Sequence, residues 1–169
     1  MTETRLIGHS ATHDRQLYLA QLASVGDWPL ALSKVDKPFV LFTALDARSV
    51  SDEQLLDFAR KLLDQGCLYT CSWGWEAPRV EDAFDQVAVE ADLAGRPYTQ
   101  TVVMTTSHEG ESLDDALWFA VFTASPADVD ARAVLAVSEE EWATEIESKF
   151  ADSARWSAGV LQAEEDADA

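Results

Sequence analysis

Residues 39–73 read FVLFTALDARSVSDEQLLDFARKLLDQGCLYTCSW, which is a strand pattern, a helix pattern and a second strand pattern in succession. The opening run is apolar on both faces and follows Pro38, a residue that a strand accepts at its beginning. Ser51 and Gln54 have capping-box spacing, and the apolar stripe after them ends at Gly66, a typical helix stop. We therefore predict a strand, a helix and a second strand in this stretch.

The same alternation continues along the rest of the chain. An apolar stripe after Pro78 predicts a second helix that ends at Gly95, and residues 101–107 predict a third strand. A helix that is apolar nearly all round follows Ser112, and residues 131–138 predict a fourth strand before a last helix. Strands that are apolar on both faces are typical of parallel sheets covered by helices. We predict an α/β fold with three layers, in which a mainly parallel sheet of about four strands has helices on both faces.

The length fits a single domain. A chain of 169 residues leaves room for one core, so we predict one α/β domain over residues 1–160. The segment 14–24, DRQLYLAQLAS, predicts an additional helix before the first strand. Residues 161–169 are acidic and poor in apolar side chains, and we expect them to be a disordered tail.

The charge of the chain is strongly negative. Twelve Lys and Arg stand against thirty-one Asp and Glu, a formal net charge of -19. Such a charge repels phosphate backbones and anionic lipid surfaces, so we predict no nucleic-acid and no membrane partner. Two interpretations remain open: an acidic surface that serves solubility, or an acidic face that meets a basic partner protein. Because we find no secretory leader pattern and no long apolar run, we expect a soluble, cytoplasmic protein.

Neither a cofactor nor a metal ion is predicted. The glycine-rich phosphate loops of nucleotide-binding proteins are not found in the sequence. His108 stands beside Glu109 and Glu111, but the other histidines, His9 and His13, belong to the N-terminal segment, so a zinc ligand set at usable spacing is not found.

The loops that follow the strands are the place where we expect a function. In open α/β folds, ligands bind at the carboxyl edge of the sheet, and here this edge comprises the loops at 46–49, 72–76, 107–111 and 138–141. The loops already carry carboxylates, which argues against a phosphate site. Candidate partner- or ligand-binding residues in them are Asp46, Trp73, Trp75, Glu76 and Glu109.

Two catalytic hypotheses can be formulated at the same edge. His108 could act as a general base beside Glu111, with Trp73 shaping a pocket, provided that the ring is exposed to a concave pocket. Cys71 could act as a nucleophile with His108 and Asp46. Because buried thiols are usually inert, we favour a packing role for Cys71, on the same face as Cys67, and expect it to be inaccessible.

Two segments resemble the signature segments of an uncharacterised bacterial family, a domain of unknown function. GCLYTCSWG (66–74) is similar to the family pattern GCLYxxxWG, and VMTTSHEGESLDDALWF (103–119) is similar to VMTTxHxxExLxxxxWF. The resemblance covers roughly residues 38–125 and implies a bacterial cytosolic domain, but no activity. The matched positions are Trp73, Gly74, Thr105, Thr106, His108, Glu111 and Trp118.

Two functions of different classes follow from these observations. The first is a non-enzymatic protein-binding module of the immunity or accessory type, with a basic protein partner that contacts either the carboxyl-edge loops or the apolar third helix. The alternative is an enzyme that uses His108 and Glu111 at the carboxyl edge of the sheet on a small molecule. The sequence leaves the choice between enzyme and binding module, and the oligomeric state, open.

Overall fold

The computed structural model describes residues 3–28, 32–100 and 102–169, without the side chain of residue 160, and in them it has six strands, five α-helices and two short 3-10 helices, Val25–Asp27 and Ala47–Ser49. In chain order the strands and α-helices are β1 (Thr4–Ser10), β2 (Arg15–Leu22), β3 (Phe39–Asp46), α1 (Asp52–Asp64), β4 (Cys67–Trp75), α2 (Ala77–Leu93), β5 (Met104–Ser107), α3 (Leu113–Phe122), β6 (Ala133–Glu139), α4 (Glu140–Ala151) and α5 (Ser153–Asp168).

The described strands form one sheet in the order β1-β2-β6-β3-β4-β5. β1 and β2 are antiparallel, and every other neighbouring pair is parallel, so the fold is a mixed α/β fold with a mostly parallel sheet. The predicted strands at 39–45, 67–73 and 131–138 are confirmed. The third predicted strand is shorter than expected, Met104–Ser107, and residue 101 lies outside the described residues.

The predicted count of about four strands is wrong, because the N-terminal segment adds two strands to the sheet. The segment 14–24, predicted to be a helix, contains strand β2, which lies between β1 and β6. Its central residues, from Leu17 to Ala20, are all buried. A continuous apolar run fits both a helix and a strand covered on both faces, and here pairing with β6 selects the strand.

Two hydrophobic clusters share the strands between them. Phe39, Leu41 and Leu45 of β3 belong to the cluster that contains the apolar residues of α1 and α2. The alternate residues of the same strand, Val40 among them, belong to the cluster that contains those of α3 and α4. Side chains of successive strand residues point to opposite faces, so β3 contributes to both clusters.

Strand β4 contains one irregularity that changes the position of a cysteine. Phe39 pairs with Cys67, whereas the next residue of β3 pairs with Tyr69, so β4 has one extra residue at this point. An extra residue of this kind reverses the alternation beyond it. Cys67 therefore belongs to the cluster with α1 and α2, and Cys71 belongs to the other. The predicted placement of both cysteines on one face is wrong.

Helix α1 begins and ends where its sequence signals predict. Ser51 Oγ accepts from the Gln54 amide and the Gln54 side chain accepts from the Ser51 amide, which confirms the capping box. Gly66, which the sequence predicts as the helix stop, follows the end of the helix and has φ +105°. These local signals fix the length of the connection between β3 and β4.

Helix α5 covers part of the apolar surface of α3. The centre of its Trp156 ring lies 5.3 Å from the centre of the Phe122 ring of α3. The centre of the Phe122 ring in turn lies 5.3 Å from that of the Trp118 ring. Part of the apolar surface that the sequence assigned to the core or to a partner is therefore packed within the chain. The helix continues to Asp168, through the segment whose composition predicts a disordered tail, and its residues from Leu161 onward are exposed.

The division into a domain over residues 1–160 and a tail stays a prediction, and residues 1–2, 29–31 and 101 of that range lie outside the described residues. Among the helices that the structure describes, we find none with the length and hydrophobicity needed to span a bilayer.

Candidate functional site

The carboxyl ends of the parallel strands meet at one edge of the sheet, and the strand order reverses between β3 and β6. The chain leaves β3 toward α1 and leaves β6 toward α4, and these helices belong to different hydrophobic clusters. Such a reversal opens a crevice in α/β sheets. An open crevice of about 1100 Å³ lies beside this point, over the carboxyl ends of β2 and β6, and it reaches Asp46 at the end of β3. Among the described residues that line it, Arg5 is the basic one and the acidic ones are Glu3, Asp27, Asp46, Glu139, Glu140 and Glu141.

One of these carboxylates, that of Glu139, joins the ends of β3 and β6, and another, that of Asp46, holds the loop after β3. Glu139 Oε2 accepts a hydrogen bond of 2.6 Å from the amide of Asp46. The Asp46 carboxylate accepts from the guanidinium of Arg48 at 2.9 and 2.6 Å, and these bonds lower the pKa of Asp46. Arg48 in turn lies 4.5 Å from the centre of the Trp75 ring, whose residue is 56% exposed. The predicted residues Asp46 and Trp75 are thus joined through Arg48, a residue that was not predicted from the sequence.

A second arginine fixes the loop after β3 to the beginning of α2. Arg79 donates to the carbonyls of Ala47 and Val50 at 3.0 and 2.9 Å, and to the carboxylates of Asp52 and Glu76 at 2.6 and 2.5 Å. The predicted residue Glu76 therefore serves this loop as an ion-pair partner. Arg48 and Arg79 could have been found from sequence, because each is a basic residue inside a strongly acidic stretch of the chain.

His108, Glu111 and Trp73 lie together as the sequence predicted, but in a closed arrangement. One ring nitrogen of His108, Nδ1, lies 2.8 Å from Glu111 Oε2, and the other, Nε2, lies 2.9 Å from Thr106 Oγ1. The indole of Trp73 donates to the Glu111 carbonyl at 2.9 Å. The His108 residue is 5% exposed. The exposed ring that the general-base hypothesis requires is therefore not present, and the contacts favour a role in holding the loop after β5.

The remaining candidate in this loop is Glu109, which is exposed. It lies one residue beyond the buried histidine and is not among the residues that line the crevice over the ends of β2 and β6. The structure therefore separates the predicted site into two places: the crevice with Asp46 and the closed network with His108.

Both cysteine thiols are buried. Cys67 and Cys71 are each 0% exposed, and burial raises the pKa of Cys71 to about 12. Burial raises the pKa of Cys67 as well. Both side chains are thiols rather than thiolates at neutral pH, which does not favour the nucleophile hypothesis. Within the described residues, we find no group of three or more His, Cys, Asp or Glu side chains arranged to hold a metal ion.

We expect Ellman's reagent to react slowly with the folded protein and rapidly after unfolding in urea, because neither thiol meets solvent. Replacement Cys71→Ala should lower the free energy of unfolding by about 1–2 kcal/mol, the effect of removing a small buried side chain. Rapid labelling of Cys71 in the folded protein would contradict the packing role.

A family described as a domain of unknown function, DUF7684, matches residues 17–153 of the chain. The chain belongs to this family. The matched range includes the strands from β3 to β6 and the helices from α1 to α4, and thus the His108 network and the crevice apart from Glu3 and Arg5. The predicted membership of an uncharacterised family is confirmed. No curated protein and no solved structure matches the chain.

Proposed function

We propose that this protein is an acidic, non-enzymatic binding module that receives a basic surface of a partner protein in the crevice over the ends of β2 and β6, beside Asp46. The observation that carries this proposal is the lining of the crevice, in which the acidic side chains outnumber the basic one. The crevice lies where ligands of open α/β sheets bind. Its charge would attract Lys and Arg side chains and would steer a basic protein toward this edge.

The covering of α3 supports the carboxyl edge as the binding surface. The apolar third helix was predicted from the sequence as a second surface for a partner. Trp156 of α5 contacts Phe122 of α3 and lies in the same hydrophobic cluster. Because the chain covers part of this helix itself, the carboxyl edge is the better supported surface.

The alternative is an enzyme that uses His108 and Glu111 on a small molecule. It would require the His108 ring to open toward the edge and to give up its contacts with Thr106 and Glu111. These contacts, together with the buried thiols, support binding rather than catalysis as the function.

The same proposal includes the layer arrangement of the fold and the source, location and type of the protein. We infer that the sheet is the middle of three layers, which the alternation of β3 side chains between the two clusters supports. We also propose a bacterial, cytoplasmic protein of the immunity or accessory type, supported by the charge of -19 and by the segments GCLYTCSWG and VMTTSHEGESLDDALWF.

The test compares two double variants that remove equal charge. Glu140→Gln with Glu141→Gln alters the crevice, and Glu164→Gln with Glu165→Gln alters the exposed end of α5. The immobilised proteins are incubated with host extract at two salt concentrations, and a captured basic protein is identified by mass spectrometry, purified and titrated. We expect the crevice variant to bind it about tenfold more weakly, which corresponds to about 1.4 kcal/mol.

The α5 variant should bind like the unaltered protein, and circular dichroism should show that both variants are folded. Equal weakening in the two variants would show that only the total charge matters and would contradict a crevice site. Failure to capture any basic protein at either salt concentration would contradict the proposed function.

A further inference from the structure

Strand β5 lies at one end of the sheet and pairs with β4 alone among the described strands. The His108 amide, directly after β5, donates to the Ser72 carbonyl of β4 at 2.9 Å. Backbone groups alternate in direction along a strand, so those of Thr106 also face β4. Those of Thr105 and Ser107 face away from it. The outer side of β5 therefore presents backbone donors and acceptors without a neighbouring strand in the described structure.

β5 is a short strand of four residues, but its edge lacks the charges, prolines and bulges that also prevent strand addition. Residues 102–107, VVMTTS, contain no charged residue and no proline, and Val102 is 52% exposed. The opposite edge, β1, has a register irregularity between Leu6 and Gly8 and an ion pair between Arg5 and Glu147. Charges and irregularities of this kind protect edges from pairing with another chain. The two edges of the same sheet thus differ, and β5 is the less protected one.

Two carboxylates of α2 lie beside the open edge. Thr105 Oγ1 donates to Asp85 Oδ1 at 2.7 Å and lies 3.4 Å from Glu81 Oε1. Burial and the charge of Asp85 raise the pKa of Glu81, and the hydrogen bond from Thr105 and the nearby His108 offset this effect only in part. Within the described residues, no Lys or Arg forms an ion pair with either carboxylate. Glu81 and Asp85 therefore have no basic partner in the described structure, and they lie beside Thr105, whose backbone groups face away from β4.

We propose that the outer edge of β5 binds an extended, basic segment of a partner protein as an additional strand, and that Glu81 and Asp85 receive a Lys or Arg side chain of that segment. Backbone hydrogen bonds to Thr105 and Ser107 hold the added strand, and the carboxylates select a basic residue at one position of it. This is the usual division between affinity and specificity in strand addition.

A second copy of the chain fits the edge less well than a basic segment does. Each copy carries a net charge of -19, and pairing of two β5 strands would bring two sets of Glu81 and Asp85 toward each other. The surface is also separate from the crevice over the ends of β2 and β6, since neither Glu81 nor Asp85 lines that crevice. The inference therefore goes beyond the proposed function and does not depend on it.

The test titrates the full chain with a short, capped peptide in which valine and lysine alternate, and follows binding by fluorescence anisotropy. A second peptide has the same side chains but N-methyl groups on alternate amides, which removes backbone donors and leaves the charges. We expect the N-methylated peptide to bind at least tenfold more weakly. Equal binding of the two peptides would show attraction by charge alone and would overturn the proposal.

Variants of β5 and α2 locate the binding. Thr105→Pro removes an outward amide, whereas Thr105→Val keeps it and loses only the hydroxyl. We expect binding to fall at least tenfold in the proline variant and to change less than about threefold in the valine variant. Glu81→Gln with Asp85→Asn should weaken binding of the lysine peptide tenfold, but not of a peptide with serine in place of lysine.

The crevice variant Glu140→Gln with Glu141→Gln should bind the peptide normally, which separates this inference from the proposed function. Loss of peptide binding in that variant, with normal binding in Thr105→Pro, would overturn the β5 site. Failure of both peptides to bind would also overturn it. A dimer of the unaltered chain in sedimentation, dissociated by Thr105→Pro, would overturn it as well, because a second copy would then occupy the edge. If the proline variant fails to fold, the comparison of the two peptides on the unaltered chain still decides the question.

Discussion

Gly74→Ala should lower the free energy of unfolding by about 2–6 kcal/mol, because two separate effects add at this position. Gly74 has φ +108°, and a Cβ there would overlap with the Leu45 carbonyl oxygen of the paired strand β3. The backbone conformation would contribute about 1–3 kcal/mol of strain. The displacement of β3 needed to relieve the overlap would contribute a similar amount, about 1–3 kcal/mol. Urea unfolding followed by tryptophan fluorescence measures the loss.

The matched control is Gly95→Ala at the end of α2. Gly95 has φ +71°, and a Cβ added to it would meet no other atom within 4 Å. This variant should lose only about 1–2 kcal/mol, the effect of a left-handed conformation in a residue with a side chain. An equal loss in the two variants would show that contact with Leu45 contributes nothing. Because Asp46 follows Leu45, Gly74→Ala should also weaken any binding in the crevice.

The strand, helix and strand between residues 39 and 75 could be predicted because their signals are local. The capping box at Ser51 and the stop at Gly66 depend on neighbouring residues alone. The segment from Arg15 to Leu22 could not be assigned in this way, because its apolar run suits both a helix and a strand. Its pairing with β6 joins residues that are far apart in the sequence, and no local pattern encodes that pairing.

The candidate site could be predicted only in part, because some of its features depend on local sequence and others on contacts between distant parts of the chain. The carboxyl-edge loops and their acidic side chains follow from the order of elements along the chain. The crevice depends on β6 lying between β2 and β3, and strand order cannot be read from the sequence. His108 and Glu111 were found, but the direction of the His108 ring depends on Thr106 and on Phe119, whose ring lies 4.8 Å away. These contacts form only when β5 and α3 are packed.

Arg15→Ala should lower the free energy of unfolding by about 3–5 kcal/mol, the range for deleting a large buried side chain. Arg15 is 2% exposed, and its guanidinium donates to the Val121 carbonyl and to Ser125 Oγ, each at 3.2 Å. Burial lowers its pKa, and we find no carboxylate paired with it among the described residues. The side chain therefore fills volume and bonds the last turn of α3, without the compensation of a buried ion pair.

Arg15→Met separates these two contributions, because methionine keeps most of the aliphatic volume and removes the charge. The variant leaves the Val121 carbonyl without its donor, an effect of about 1–2 kcal/mol, but it also removes the unfavourable burial of an unpaired cation. We expect it to be at least about 2 kcal/mol more stable than Arg15→Ala in urea unfolding. Equal losses in the two variants would show that the bonds to Val121 and Ser125, rather than the packed volume, account for the stability that Arg15 provides. Since Arg15 begins β2 and the crevice lies at the other end of that strand, binding in the crevice should survive the methionine variant.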